Sequence, residues 1–96
     1  MNKLTFLYMQ GCPYCVKAKK ALEELQGENE AYKAVETEWI DEDRNPQLVA
    51  NLDYYYVPTI YMGKDKLYEA HPSDDYSKIR SSVKAALDAA KAQPQV

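Results

Sequence analysis

Residues 3–15 read KLTFLYMQGCPYC, an apolar run followed by two closely spaced cysteines. The run Lys3–Met9 is rich in strand-forming side chains and predicts a buried strand that ends at Gln10-Gly11. Apolar residues then recur at helical spacing, which predicts a helix. Proline is favoured in the first helical turn, where its missing N–H would have no partner anyway. Pro13 therefore indicates that the helix starts next to Cys12.

The thiol pair is the main candidate for chemistry, because Cys12 and Cys15 are the only cysteines in the chain. Two thiols at this spacing can form and break a disulfide without unfolding the protein. The thiolate is the attacking species, but a free cysteine has a pKa of about 8.5 and is mostly protonated at neutral pH. We expect the N–H groups of Tyr14 and Cys15 at the helix start, and the thiol of Cys15, to stabilise the Cys12 thiolate.

The spacing predicts a two-step exchange reaction. Cys12 attacks a disulfide of the substrate to form a mixed disulfide, which Cys15, one helical turn deeper, then resolves. Pro13 fixes the start of the helix. Tyr14 is either an exposed residue that shapes contacts with a partner or an ordinary residue of the first turn.

Three alternatives for the cysteine pair are open. A structural disulfide across so short a loop would stabilise the fold by only roughly 2 kcal/mol. A zinc site normally takes four cysteine or histidine ligands, and His71 is the only histidine. The third alternative is a pair of unreactive buried thiols. Because a cysteine pair in a reducing compartment is more often catalytic than structural, we favour the redox pair and predict no metal site.

Length, composition and charge narrow the class of protein. With 96 residues, 46% of them hydrophobic, the chain is expected to form one domain over residues 1–92, with a tail at 93–96 that frays. The formal net charge of −3 leaves no basic stripe for nucleic acid. Leu4–Met9 is too short for a signal-peptide core, and no apolar run is long enough to span a membrane. We therefore expect a cytoplasmic protein without membrane or nucleic-acid partners.

The remaining segments alternate between strand and helix patterns. They predict a first helix ending at Gly27, a strand over 32–40, a short helix over 46–52, a strand over 57–62, a hairpin turn over 63–65 and a strand over 66–69. A last helix follows cap residues 72–75, with an apolar stripe of Ile79, Val83, Ala86, Leu87 and Ala90. Asp41–Asp43 is expected to be a solvated acidic turn. The order predicts an α/β fold, a mixed four-stranded sheet flanked by three helices in the order β-α-β-α-β-β-α.

Two segments resemble a known family. The sequence GCPYCVKAK at residues 11–19 is similar to the active-site segment of dithiol glutaredoxins, and Val57-Pro58-Thr59 resembles the Val-Pro segment of glutaredoxins and thioredoxins. The resemblance implies a thioredoxin-like fold with a cis Val57–Pro58 bond packed opposite the two cysteines. It also implies that the backbone of Val57 pairs with a bound peptide or glutathione. Ser73 and Asp74 would lie in the helix-start segment that holds the γ-glutamyl end of glutathione.

The chain departs from the glutaredoxin pattern at positions that contact glutathione in that family. Met9 stands where glutaredoxins usually have lysine or arginine, and Tyr56 where they tend to have threonine or serine. The segment Glu69-Ala70-His71-Pro72 replaces a Gly-Gly pair. These departures favour protein disulfides as substrates and predict no tightly bound cofactor.

The favoured interpretation is a monomeric dithiol enzyme that reduces protein disulfides or mixed disulfides through the Cys12/Cys15 pair. A reductase of the thioredoxin-reductase type would reduce this pair again after each reaction. One alternative is a conventional glutaredoxin that uses glutathione as co-substrate. Another is a protein that holds an iron–sulfur cluster between two protomers with glutathione. Two interpretations stay open for Tyr54–Tyr56: an apolar rim that contacts the substrate, or ordinary packing. Two also stay open for Lys19: a positive charge near Cys12, or a solvated helix residue.

Overall fold

The structure, a computed structural model, describes residues 3–92 of the chain. This part of the chain contains eight helices and strands. In chain order they are β1 (Leu4–Tyr8), α1 (Pro13–Glu28), α2 (Glu30–Lys33), β2 (Thr37–Asp41), α3 (Pro46–Val49), β3 (Thr59–Met62), β4 (Asp65–Glu69) and α4 (Tyr76–Ala92). None of the helices within residues 3–92 is long and apolar enough to cross a membrane. The predicted tail at 93–96 lies outside the described residues, and the domain boundary at 1–92 stays a prediction.

The four strands form one mixed sheet in the order β2-β1-β3-β4. β1 is parallel to β2 and antiparallel to β3, and β3 is antiparallel to β4. The parallel pair follows from the crossover through α1, whereas the short turn between β3 and β4 requires antiparallel strands. Gly63 opens that turn with a φ of 61°, which glycine adopts without steric cost. The predicted sheet is confirmed.

The hydrophobic core joins the central strands to α1 and α4, which pack against each other. Leu4, Phe6 and Leu7 of β1 are completely buried, as the apolar run predicted. All five apolar residues predicted on α4 are buried as well. Phe6 stacks on Trp39 of β2 with ring centroids 4.4 Å apart, so this aromatic pair ties the two parallel strands together.

Residues 3–92 contain four helices rather than three, because α2 forms where the second strand was predicted to begin. Asn29 is extended, and its side chain accepts the N–H of Ala31 at 3.0 Å, which caps the helix. Tyr32 is buried and donates its hydroxyl to Asp88 of α4 at 2.6 Å. The predicted strand was therefore wrong in its first half, since this cap and this contact hold the segment against α4.

Other predicted bounds shift by a few residues. β3 begins at Thr59 and not at residue 57, because Pro58 has no N–H to give to the sheet. α3 ends at Val49 and not at residue 52. α1 continues one residue beyond Gly27. These shifts leave the order of elements and the position of the cysteine pair unchanged.

Replacing Leu87 by alanine is expected to lower the free energy of unfolding by about 2–5 kcal/mol, because the completely buried side chain leaves a cavity. Leu48 on α3 is 62% exposed. Leu48→Ala is therefore the matched control and should change stability by less than about 0.5 kcal/mol. Urea denaturation followed by circular dichroism measures both variants. Equal losses in the two variants would contradict this packing.

Candidate active site

The turn between β1 and α1 places Cys12 at the N-terminal cap of the helix. Gly11 has a φ of 77°, a conformation that favours glycine and turns the chain out of the sheet. Cys12 is extended and Pro13 lies in the first turn, as predicted. The Cys12 sulfur acts as the capping acceptor, because the N–H of Cys15 donates to it at 3.3 Å. Within residues 3–92 the N–H of Tyr14 makes no such bond, so one of the two expected amide donors is in place.

Both cysteines are buried thiols, each 5% exposed. Burial raises the pKa of the Cys15 thiol to about 12, together with its hydrogen bond to Cys12, while a hydrogen bond from the backbone of Met9 acts in the opposite direction. Cys15 is therefore a thiol at physiological pH and can give its proton to a hydrogen bond with Cys12. A raised thiol pKa disfavours Cys15 as the attacking sulfur, which leaves that role to Cys12.

The Val57–Pro58 peptide bond is cis, as the resemblance implied. It precedes β3, the neighbour of β1 in the sheet, and so lies beside the turn that carries Cys12. The Cys12 thiol donates to the carbonyl oxygen of Val57 with sulfur and oxygen 3.7 Å apart. The fold thus brings Cys12 and Val57 into contact.

Glu69, the last residue of β4, holds the segment before the cis bond. One carboxylate oxygen accepts the N–H groups of Tyr55 and Tyr56 at 2.6 and 2.8 Å, and the other accepts Lys66 Nζ at 2.8 Å. Although burial acts to raise it, these hydrogen bonds lower the pKa of Glu69 to about 2. From the sequence, Glu69 is predicted to end a strand and departs from the Gly-Gly pair of the resembling family. No local motif marks its hydrogen bonds, because two of its partners lie outside the hairpin.

The three tyrosines before the cis bond divide between packing and exposure. Tyr54 is half-buried and donates its hydroxyl to Glu42 at 2.6 Å. Tyr55 and Tyr56 are 88% and 48% exposed. The Tyr56 ring centroid lies 6.2 Å from that of His71, in the loop before α4. Tyr54 is therefore a packing residue, whereas Tyr55 and Tyr56 leave apolar surface open beside the site.

Tyr14 joins the first turn of α1 to the loop before α4. It is half-buried, and its hydroxyl donates a hydrogen bond to the carbonyl of Pro72. Lys17 Nζ lies 5.6 Å from the centre of the Tyr14 ring. Tyr14 therefore bridges two segments that flank the cysteine pair.

Asp74, predicted to bind substrate, already has hydrogen-bond partners in β4 and in its own loop. Its Oδ2 accepts the hydroxyl of Tyr68 at 2.7 Å and the N–H of His71 at 3.1 Å. The hydrogen bonds from Tyr68 and His71 lower the pKa of Asp74. Ser73 is exposed, and Asp75 caps α4. The roles of Ser73 and Asp74 in binding substrate stay predictions.

A pocket of about 230 Å³ opens beside the cysteine pair. It is lined by Tyr8, Met9, Gln10, Gly11, Cys12, Cys15, Val16, Lys19 and Trp39. Asp41 supports this wall: its Oδ2 accepts Gln10 Nε2 at 3.4 Å and its Oδ1 accepts the N–H of Asp43 at 2.9 Å. The prediction of a solvated acidic turn is wrong for Asp41, which is buried where β2 meets the β1–α1 turn, whereas Asp43 is exposed.

Known proteins share this fold and part of this sequence. Residues 6–72 match a family model described as the glutathione S-transferase N-terminal domain. The thioredoxin of Methanocaldococcus jannaschii is 36% identical over 64 residues, which is 67% of this chain and 73% of that protein. Among solved structures, a mutant thioredoxin from Halobacterium salinarum has a TM-score of 0.56 at 18% identity, covering 90% of this chain and 74% of its own. Thioredoxin 1 from Thermosipho africanus has a TM-score of 0.55 at 19% identity, covering 91% and 96%.

The thioredoxin-like fold and the thioredoxin relative together support a thiol-disulfide oxidoreductase. The chain belongs to the thioredoxin superfamily, which holds both the thioredoxins and the glutathione S-transferase N-terminal domain. The structural neighbours support the predicted fold.

The buried Cys15 should resist alkylation. In a Cys12→Ser variant at about pH 8, we expect Cys15 to react with iodoacetamide more than about 100-fold more slowly than free cysteine, because burial, the largest cause of its raised pKa, is retained and leaves little thiolate. Peptide mapping by mass spectrometry after timed quenching measures the rate. Cys15→Ser, which keeps the other sulfur, is the matched variant and should be alkylated faster. Equal rates at the two sulfurs would contradict the assignment of Cys12 as the reactive one.

The Glu69→Gln variant should lose stability at neutral pH but little in acid. The folded-state pKa of about 2 lies below the ordinary value of 4.5, so the carboxylate stabilises the fold above about pH 4.5 and this contribution is lost as the pH falls towards about 2. We expect the variant to be about 1–2 kcal/mol less stable at neutral pH. Urea denaturation across the pH range measures the difference, with the exposed Glu23→Gln as control. A loss that does not vary with pH would count against the charged carboxylate.

Proposed function

We propose that the chain reduces disulfide bonds of proteins, with Cys12 as the attacking sulfur and Cys15 as the resolving sulfur. The observation that carries the proposal is the place of Cys12 at the helix cap, where its sulfur accepts the N–H of Cys15 at 3.3 Å. An N–H directed at a sulfur is a hydrogen-bond donor that a thiolate formed there can use. The contact with Val57 at 3.7 Å sets the same sulfur beside a backbone edge that an extended substrate can approach.

The reaction consists of two balanced steps. The Cys12 thiolate attacks one sulfur of the substrate disulfide, that S–S bond breaks, and the departing thiolate takes up a proton. The Cys15 thiol then loses its proton, attacks the Cys12 sulfur of the mixed disulfide and releases the second substrate thiol. The protein is left with a Cys12–Cys15 disulfide, which a reductase of the thioredoxin-reductase type or another dithiol donor must reduce again.

Protein substrates fit these surroundings better than glutathione does. Met9 is 39% exposed and offers no charge to a carboxylate of glutathione. Asp74 already accepts hydrogen bonds from Tyr68 and His71. Of the positions that would hold the two ends of glutathione, Met9 is therefore apolar and Asp74 is already bonded, while Ser73 is exposed. We propose no tightly bound cofactor.

A conventional glutathione-dependent glutaredoxin is the second candidate. The match of residues 6–72 to the glutathione S-transferase N-terminal domain favours it. A protein that holds an iron–sulfur cluster between two protomers is a third and weaker one. A cytoplasmic monomer belongs to the favoured proposal, because a reducing compartment keeps both cysteines as thiols.

Two activity assays with different substrates distinguish these candidate functions. With dithiothreitol as donor, the protein should reduce insulin disulfides markedly faster than dithiothreitol alone. With glutathione as donor, it should scarcely reduce a glutathionylated protein. Cys15→Ser should accumulate a mixed disulfide with insulin, whereas Cys12→Ser should form none, since only Cys12 attacks.

Rapid deglutathionylation with glutathione would reject the proposal in favour of the conventional glutaredoxin. A coloured protein after anaerobic purification would favour the cluster-binding candidate. Failure of Cys15→Ser to trap any mixed disulfide would refute the two-cysteine mechanism.

A further inference from the structure

The pocket beside the cysteine pair lies on the opposite side of Cys12 from Val57. Cys12 follows β1, which stands between β2 and β3 in the sheet. Val57 precedes β3, whereas Trp39 in the pocket wall belongs to β2. An extended polypeptide that lies along Val57 and crosses the Cys12 sulfur therefore continues towards the pocket.

The pocket has the size and lining of a subsite for a side chain. Its volume of about 230 Å³ is below the range of about 300–1,000 Å³ that is usual for small-molecule ligands. Met9 and Val16 in its lining are 39% and 66% exposed. Apolar side chains left open to water beside a reactive group mark a contact surface, and methionine adapts its shape to what it contacts.

Among the described residues that line the pocket, Lys19 alone has a charged side chain. The lysines on either side of it along α1 are engaged by aromatic rings: Lys17 Nζ lies 5.6 Å from the Tyr14 ring centre and Lys20 Nζ 5.3 Å from that of Tyr76. Within residues 3–92, Lys19 has neither an ion pair nor a ring contact. Its ammonium group is therefore available to an entering carboxylate.

We propose that this pocket binds a large apolar side chain next to the reactive cysteine of a protein substrate, with an acidic residue beside it paired to Lys19. The buried carboxylate of Asp41 takes the Gln10 amide behind the pocket, so Lys19 presents the exposed charge that the substrate meets. The inference rests on the proposed function, the reduction of protein disulfides. It adds which residues next to a substrate cysteine make its disulfide react fastest.

Four symmetric peptide disulfides test the subsite. Each peptide has one cysteine followed by Leu-Glu, Leu-Lys, Ser-Glu or Ser-Lys, and single-turnover reduction by the pre-reduced protein is followed by rapid quench. Leucine should be preferred over serine about tenfold, equivalent to about 1.4 kcal/mol, which is part of the gain from burying a leucine side chain. Glutamate should be preferred over lysine about threefold at low ionic strength, and less in added salt.

Three variants assign these preferences to residues. Val16→Ser removes an apolar wall at an exposed position and should abolish the preference for leucine. Lys19→Gln should abolish only the preference for glutamate. Lys20→Gln, the adjacent lysine on α1, is the matched control and should keep both preferences.

Equal rates for all four peptides in the unmodified protein would overturn the subsite and leave disulfide reduction intact. Preferences that persist in Val16→Ser and Lys19→Gln would overturn it as well. If no peptide is reduced, the proposed function fails together with the subsite, so the two failures can be told apart.

Discussion

The hydrogen bond from the N–H of Cys15 to the sulfur of Cys12 ties the chemistry of this protein to the start of a helix. It exists only because the chain leaves the sheet at Gly11, enters α1 through Pro13 and leaves Cys12 extended at the cap. The buried strand β1 leads directly into that turn and fixes the position of its first residue. A change that moved the helix start by one residue would therefore remove the donor from the sulfur, whatever else it left intact.

Polar side chains help the backbone to hold the two loops around the cysteines, where the N–H of Ala70 also donates to the carbonyl of Pro58 at 3.0 Å. The Glu69 carboxylate fixes the segment before Val57, and the Tyr14 hydroxyl fixes the loop that contains Pro72. Both attachments reach from ordered elements into irregular ones. The backbone next to Cys12 is therefore positioned by polar contacts that can be altered singly without disturbing the core.

Local sequence patterns predicted those parts of the fold that are determined by residues close together in the chain. The strand–turn–helix around Cys12 and the apolar stripe of α4 depend on residues close together in sequence, and both were predicted from sequence and confirmed. α2 was not predicted because only one of its causes, the Asn29 cap, is local, whereas the contact between Tyr32 and Asp88 spans more than fifty residues. The burial of Asp41 and the hydrogen bonds of Glu69 were not predicted for the same reason. A run of acidic or strand-forming residues does not indicate which distant amide group will donate to a carboxylate.

Trp39 is the only tryptophan of the chain. Its indole stacks on Phe6 and also forms part of the wall beside the two sulfurs. In the proposed reaction a disulfide closes between Cys12 and Cys15 beside this indole, and we expect that change to alter its surroundings. The fluorescence of a single tryptophan is therefore a direct probe with which to follow the oxidation state of the pair.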